Sequence, residues 1–331
     1  MDNQHPRKLM PPIDLSIIIV NWNSKDYLKK CITSILDNTH KIEFEIIVID
    51  SGSFDGCGEM LQQHYPQVHF IQSNENLGFA RANNKAFKAS NSRVLLFLNP
   101  DTELVNAGIE KLLCELNTLP NAAIVGPKLL NSDRTVQTSC IRVFPNILNQ
   151  ILSAEVLMKL FPRSRLWGIA PFFDNPERPI DVNAISGACL MIKRSFFETV
   201  QLFCEDYFMY SEDIDLCYKV RKAGWKSYYV PTAVIIHHGG GSSSQSKVNT
   251  FSDVMMLESR WRYFRKNRTI GYGHLYRFAI CGASLFRIVL LSIMWPIFKV
   301  WGNAAFVEKV LSKWTARLRW AMGFENWVDD Y

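Results

Sequence analysis

The sequence predicts an α/β fold, a mostly parallel sheet flanked by helices, followed by a C-terminal helical region of different character. Three observations carry this. Short apolar runs alternate with helix-period patterns as far as Val125. The strand-like runs are continuously apolar rather than alternating, so both faces are buried, as in a parallel sheet. From Phe251 onward, basic and aromatic residues alternate and lead into a long apolar stretch.

The elements follow in order. Leu15 to Val20 reads as the first strand and Tyr27 to Leu36 as a helix. Phe44 to Ile49 is the second strand, followed by a Ser- and Gly-rich loop from Ser51 to Gly58. Val68 to Ile71 is the third strand and Phe79 to Ala89 a helix. Val94 to Leu98 is the fourth strand, Ala107 to Leu116 a helix, and Ala122 to Val125 the fifth strand. Residues 127–182 are less regular and contain six prolines from Pro127 to Pro179. Val182 to Ile192 is a strand interrupted at Ser186-Gly187, and Ser211 to Ala223 is a helix stopped by Gly224. Lys226 to Val230 and Ala233 to Ile236 are two short strands, and Gly239 to Lys247 is a mobile loop. Phe278 to Phe298 is apolar apart from Arg287, which leaves two uncharged halves, each too short to span a bilayer. A last helix carries Trp314, Arg317, Arg319 and Trp320.

The 331 residues suffice for one large domain or two ordinary ones, and the pattern divides them at 14–250 and 251–331. With 48% hydrophobic and 21% charged residues, a filled core is expected and wholesale disorder is excluded. Eight cysteines form no CxxC pair, which argues against a disulfide framework or a zinc site and for reduced thiols in the cytoplasm. The segment Met1 to Pro12 has no apolar signal-peptide core, so export is not expected. Of 37 Lys+Arg and 31 Asp+Glu, 12 and 4 lie between Arg260 and Tyr331. This tail is net +8 and the first 259 residues net −2. Such asymmetry points to an anionic surface. Nucleic acid is one reading of the tail. The adjoining apolar stretch favours membrane association over that reading, with no nucleic acid as partner. A helical layer packed on the domain, or on a second copy in a homodimer, is the plain alternative.

The candidate site residues sit at strand ends, where open α/β sheets bind ligands. Asn99-Pro100-Asp101 ends strand four; an ordinary turn would look the same. A nucleotide diphosphate needs a divalent cation held by a few oxygens, and Asp101 suffices as carboxylate. Asp50 ends strand two, where a carboxylate can accept the imide N–H of uracil or thymine. Val20-Asn21-Trp22-Asn23 ends strand one and can frame a planar base. Asn76-Leu77-Gly78-Phe79-Ala80-Arg81-Ala82-Asn83-Asn84 opens a helix, with Gly78 permitting close approach and Arg81 offering charge to an anion. In Ser211-Glu212-Asp213-Ile214-Asp215, capping and helix-dipole stabilisation explain the acids as well as function does. The functional reading makes Asp213 a general base with Glu212 beside it. His237-His238, before a Gly-rich loop, can hold a metal or a diphosphate.

In this order the motifs resemble the inverting family 2 glycosyltransferases with the Rossmann-like GT-A fold, particularly a rhamnosyltransferase-like branch. The resemblance covers roughly Asp14 to Ser244. Val20-Asn21-Trp22-Asn23 resembles the family's opening nucleotide loop, Val48 to Ser53 its base-binding strand end, and Asn76 to Asn83 the helix start that follows. Asn99-Pro100-Asp101 stands where the metal-binding DxD motif belongs, and Ser186-Gly187-Ala188 resembles the segment lining the sugar and acceptor site. Glu212-Asp213 resembles the catalytic ED pair, whose second acid is the base. Two departures are visible. Asn99 replaces the first acid of DxD, so metal binding rests on Asp101 and a histidine of the 237–238 pair. Asn84-Lys85 stands where many members have a glycine after the Arg-Asn pair, so the ribose or phosphate contacts of that pattern do not carry over directly. The resemblance implies a nucleotide-sugar donor, dTDP-L-rhamnose, with Mg2+ or Mn2+. It also implies a polyprenyl-diphosphate-linked saccharide acceptor, in bacterial O-antigen, capsule or cell-wall polysaccharide synthesis at the inner face of the cell membrane. A UDP-sugar-dependent enzyme of the same fold and a non-catalytic membrane-associated nucleotide-binding subunit are the alternatives.

Overall fold

A computed structural model describes residues 13–152, 160–161, 163–164, 166–167, 177–239, 250–300, 304–325 and 327–328. The chain alternates strands and helices through its first 130 residues. These are β1 (Leu15–Asn21), α1 (Lys25–Asn38), β2 (Phe44–Ser51), α2 (Cys57–His64), β3 (His69–Ser73), α3 (Gly78–Phe87), β4 (Val94–Leu98), β5 (Thr102–Leu104), α4 (Gly108–Thr118) and β6 (Ala122–Leu130). Then come β7 (Ile141–Arg142), α5 (Ile147–Leu152), β8 (Ile180–Val182), β9 (Ala184–Ile185), β10 (Cys189–Lys193), α6 (Arg194–Thr199), α7 (Glu212–Lys222) and β11 (Lys226–His237). Three helices close the chain: α8 (Thr250–Asn267), α9 (Ile270–Val300) and α10 (Ala304–Met322).

The main sheet has the order β3-β2-β1-β4-β10-β6-β11-β5, with β8 also paired to β11. Strands β1, β2, β3, β4, β6 and β11 share one direction, and β10, β5 and β8 oppose it. The central runs Ile17–Ile19 and Leu95–Phe97 are fully buried, as strands covered on both faces require. From β1 the chain goes outward to β2 and β3, then returns to the other side of β1 as β4. The crevice at the carboxyl ends of β1 and β4 is therefore a topological switch point.

Several elements differ from expectation. The loop expected to reach Gly58 gives way to α2 at Cys57. The two short strands at 226–236 are one strand, β11, whose register shifts between Val230 and Val234. The bulge accommodates Pro231, which cannot donate to a ladder. The apolar segment expected as two short halves is one 31-residue helix running through Arg287. Arg287 is satisfied by tertiary contacts: its Nη2 donates to Ile151 O at 2.7 Å and its guanidinium stacks over Trp314. By length and composition alone, Ile270–Pro296 is long and apolar enough to cross a membrane. Its exposed side includes Phe278, Leu285, Phe286, Val289 and Ile293, at helical spacing on one face. Residues 240–247 of the expected mobile loop lie outside the described residues.

Candidate active site

At the switch point lies a cavity of about 490 Å3, lined by Val20, Trp22, Gly78, Asn99, Asp101 and His237, with Phe79, Phe208 and Tyr210 as aromatic walls. Four strand or helix ends thus contribute to one concavity: β1, β4, β11 and the start of α3.

On one side β11 brings His237 against the turn after β4. Its Nε2 lies 3.2 Å from Asp101 Oδ1 and 3.3 Å from Asn99 Nδ2. Its Nδ1 lies 2.7 Å from Gln137 Oε1. The Gln137 Nε2 is engaged by Asn131 Oδ1 at 3.0 Å, so the carbonyl oxygen faces the ring and Nδ1 carries a hydrogen. In the neutral ring this leaves the Nε2 lone pair beside a carboxylate oxygen. The Asn99 amide can donate to that lone pair, and a cation placed between the ring nitrogen and the carboxylate would be held by both. A ring nitrogen oriented by a carbonyl on its far side is the usual arrangement of a metal-binding histidine. The residues therefore fit a divalent cation. His238, expected as an alternative ligand, turns away. Its Nδ1 meets Ser132 Oγ at 2.9 Å, its Nε2 meets Glu103 Oε2 at 3.2 Å, and only its backbone N–H reaches Asp101 O at 2.9 Å. Successive residues of a strand face opposite sides, so the pair cannot both reach Asp101.

Asp213 lies outside the cavity lining, nearly buried in the first turn of α7. Its Oδ2 accepts the Gly187 N–H at 2.9 Å and its Oδ1 accepts the Ile214 N–H at 2.8 Å. The Ser186–Ala188 turn joins Asp213 to the Asn99–Asp101 turn, because Ala188 O accepts the Asn99 N–H at 2.9 Å. Burial, and then Asp213 beside it, push the Glu212 carboxyl up to about 8 against the pull of Arg142 and Arg260.

Other expected contacts are redirected. Asp50 is enclosed by protein donors: Asn21 Nδ2 at 2.8 Å, Ser53 Oγ at 2.5 Å, the Ser53 and Phe54 N–H groups at 3.0 Å, and Gln72 Nε2 at 2.8 Å. Burial alone would raise this carboxyl; the hydrogen bonds outweigh it and hold it below the ordinary range. In this conformation Asp50 shapes the loop after β2 rather than offering a free acceptor to a base. The Asn21 side chain is likewise buried in that loop, while Val20 and Trp22 face the cavity. Asp50, Asp55 and Cys57 present three close metal-type ligands. The Asn21 amide nitrogen occupies their centre, 3.1 and 3.2 Å from the Asp55 oxygens and 3.3 Å from Cys57 Sγ. Asn23 and Arg81 are exposed outside the cavity lining, and Asn83 is buried with its Nδ2 on Phe79 O at 2.9 Å. Gly78 is at the cavity, but the N–H after it is taken by Phe208 O at 2.8 Å, so this helix start is less open to an anion than expected. Asn84, where glycine was expected, holds the Phe203 backbone through both N–H and C=O.

Residues 16–201 match the family model described as glycosyl transferase family 2. The chain belongs to this family. It is similar to the N-acetylglucosaminyl-diphospho-decaprenol L-rhamnosyltransferase of Mycobacterium tuberculosis, 31% identical over 237 residues covering 67% of this chain and 75% of that one. It is also similar to the rhamnosyltransferase WbbL of Escherichia coli, 26% identical over 77% of this chain and 94% of the relative. In structure it resembles a mannosyltransferase from Pyrobaculum calidifontis solved with GDP-Man and Mn2+, with a TM-score of 0.56 at 13% identity, covering 95% of this chain and 88% of that one. GalNAc-T7, solved with UDP, GalNAc and Mn2+, gives 0.54 at 17% identity over 78% and 51%. The family 2 chain is thus a glycosyltransferase with the GT-A fold.

Sequence reading missed the aromatic walls Phe208 and Tyr210, although they stand just before the acidic pair. It also missed Gln137, which lies in a stretch without periodicity and gives no signal.

Proposed function

We propose that this glycosyltransferase performs inverting transfer of L-rhamnose from dTDP-L-rhamnose to a polyprenyl-diphosphate-linked saccharide. The observation that carries the mechanism is the Ser186–Ala188 turn, which bonds the Asn99–Asp101 turn, where Asp101 meets His237, and also bonds Asp213. The relatives' names support a rhamnosyl group in both cases and, in the Mycobacterium tuberculosis protein, a lipid-linked acceptor.

Asp213 takes the proton of the attacking acceptor hydroxyl as the new glycosidic bond forms. The Gly187 N–H holds its carboxylate in place while Ile214 N–H engages the other oxygen. Asp101 and His237 would hold a divalent cation, with the imidazole oriented by the Gln137 carbonyl on its Nδ1. When bound, that cation would neutralise the departing diphosphate. Val20, Trp22 and the loop shaped by Asn21 and Asp50 frame the base, with Phe79 and Phe208 shielding the reacting centre. The basic, apolar tail rests on an anionic membrane at the cytoplasmic face, near a lipid-linked acceptor. Flotation with anionic liposomes tests that placement, and retention in the pellet would count against it.

The deciding assay has two parts. Thermal shift with Mn2+ compares dTDP-L-rhamnose with UDP sugars, and stabilisation by a UDP sugar alone would overturn the donor. Asp213→Asn should abolish transfer yet keep nucleotide binding; full activity in that variant would sink the base.

A further inference from the structure

The family match ends at residue 201, yet a strong constraint on the acid-bearing turn comes from well beyond it, in α8. Tyr210 and Ser211, directly before Glu212, both lie in the left-handed region, with φ of 67° and 69°. Neither is glycine, and such a backbone persists only where its surroundings hold it. Two consecutive residues of α8 do so. Ser259 Oγ donates to Met209 O at 2.7 Å, and Arg260 Nη1 donates to Ser211 Oγ at 3.3 Å.

The Arg260 side chain is not explained by that one bond. The residue is 6% exposed, and its Nε has no hydrogen-bond partner among the described residues. Glu212 is equally buried, and its Oε2 also has none. Three acids, Glu212, Asp213 and Asp215, share this first helical turn. Ionising buried carboxylates side by side is costly unless cations offset it. Arg260 and Arg142, the latter from β7, act electrostatically on Glu212 in that sense.

We infer that Arg260 is a positioning residue for the proposed transfer: it holds the strained Tyr210–Ser211 turn and supplies positive charge to the buried Glu212–Asp213 pair. The inference rests on the reading of Asp213 as base. Arg260 is buried, so it acts through the start of α7 and not on the substrate. Helix α8 in turn is tied to the tail, because Glu258 accepts the Trp320 Nε1–H of α10 at 3.0 Å.

The test uses the full chain, with steady-state transfer from dTDP-L-rhamnose to a polyprenyl-diphosphate-linked saccharide. Arg260→Met should lower kcat by ~10²-fold, the size of a displaced reacting group, with the donor KM within ~twofold. Loss of a cation disfavours the ionised form of a nearby carboxylate, so the acid limb of the kcat profile should move to higher pH. Arg142 of β7, Cys217 of α7 and Arg260 of α8 act electrostatically on this pair, and Tyr263 of α8 and Tyr276 of α9 act on Arg260. Only Arg260 is changed. Arg260→Lys should restore the limb and part of the rate. A folded Arg260→Met enzyme with wild-type kcat, or one slowed equally at every pH, would overturn the inference. Should Arg260→Met fail to fold, Ser211→Ala removes only the hydroxyl partner; it should lower kcat at unchanged donor KM, and an unchanged kcat overturns the inference. Full activity in Asp213→Asn would instead remove the base itself. Loss of activity there, with unaltered Arg260 variants, removes only the role of Arg260.

Discussion

Gly78 offers a quantitative test of how the cavity is built. It opens α3 with φ of 66°. A Cβ at this position would lie 2.2 Å from Phe208 O and 2.7 Å from Phe208 Cδ2. The Phe79 N–H donates to that same carbonyl at 2.8 Å. Gly78→Ala therefore has two costs. The left-handed conformation costs a non-glycine residue ~1–2 kcal/mol. Moving the Phe208 carbonyl out of contact breaks a buried hydrogen bond, at ~1–3 kcal/mol. The sum is ~2–5 kcal/mol, which at ~2 °C per kcal/mol lowers Tm by ~4–10 °C. Phe208 also lines the cavity, so nucleotide-sugar affinity should fall with stability. Differential scanning fluorimetry, with and without nucleotide sugar and Mn2+, reads both effects. A Gly78→Ala protein with wild-type Tm and wild-type ligand shift would refute the claim that α3 is seated on the Phe208 backbone.

Two further outcomes concern the acids and the histidines. Glu212 is raised from 4.5 to about 8 by burial and by Asp213, so the folded chain holds a proton that the unfolded chain releases between those values. Stability then falls as pH rises through that window and levels off above it. Melting curves should show wild type losing Tm relative to Glu212→Gln over this range, and parallel curves would refute the shift. At the cation end, His237→Ala should weaken Mn2+ binding in calorimetric titration, and Gln137→Leu should weaken it ~10-fold through the freed imidazole. His238→Ala should leave Mn2+ affinity unchanged; equal losses from both histidines would contradict the geometry.

Buried strands were readable in this chain because their residues have no alternative. Val94–Leu98 is apolar throughout, and the structure returns it with the same ends. Features that depend on a distant partner were not readable. β5 is three residues long and exists because β11 pairs with it. Pro231 splits the pattern of β11, and only the bulge against β6 keeps it one strand. Arg287 seemed to divide the apolar tail, yet the Ile151 carbonyl and the Trp314 ring absorb its charge. The site follows the same division. Asp101 could be read from its strand end. A strand-end Asp50 looks identical whether open or enclosed, and its donors come from β1, β3 and the following loop. Which of two adjacent histidines faces Asp101 depends on strand register, fixed by the pairing of His237 with Thr102.

The antiparallel β10 explains how the two ends of the proposed site are held together. Cys189, its first residue, pairs with Leu98, the last residue of β4. The Ser186–Ala188 turn therefore arrives at the carboxyl edge of the sheet, over the Asn99–Asp101 turn. A parallel strand inserted at this place would begin at the opposite edge and leave its preceding turn far from the cavity. At that edge the turn makes both connections, Ala188 O to Asn99 N and Gly187 N to Asp213 Oδ2. Gly187 leaves little room for a side chain: a Cβ would stand 3.3 Å from Phe79 Cζ and 3.4 Å from Asp213 Cβ. The spacing of the Asn99–Asp101 turn and Asp213, the proposed cation end and base, is thus set by hydrogen bonds on one short turn. Inverting displacement needs the attacking hydroxyl and the leaving diphosphate on opposite faces of the sugar, and a rigid link between the groups serving each face keeps that separation constant.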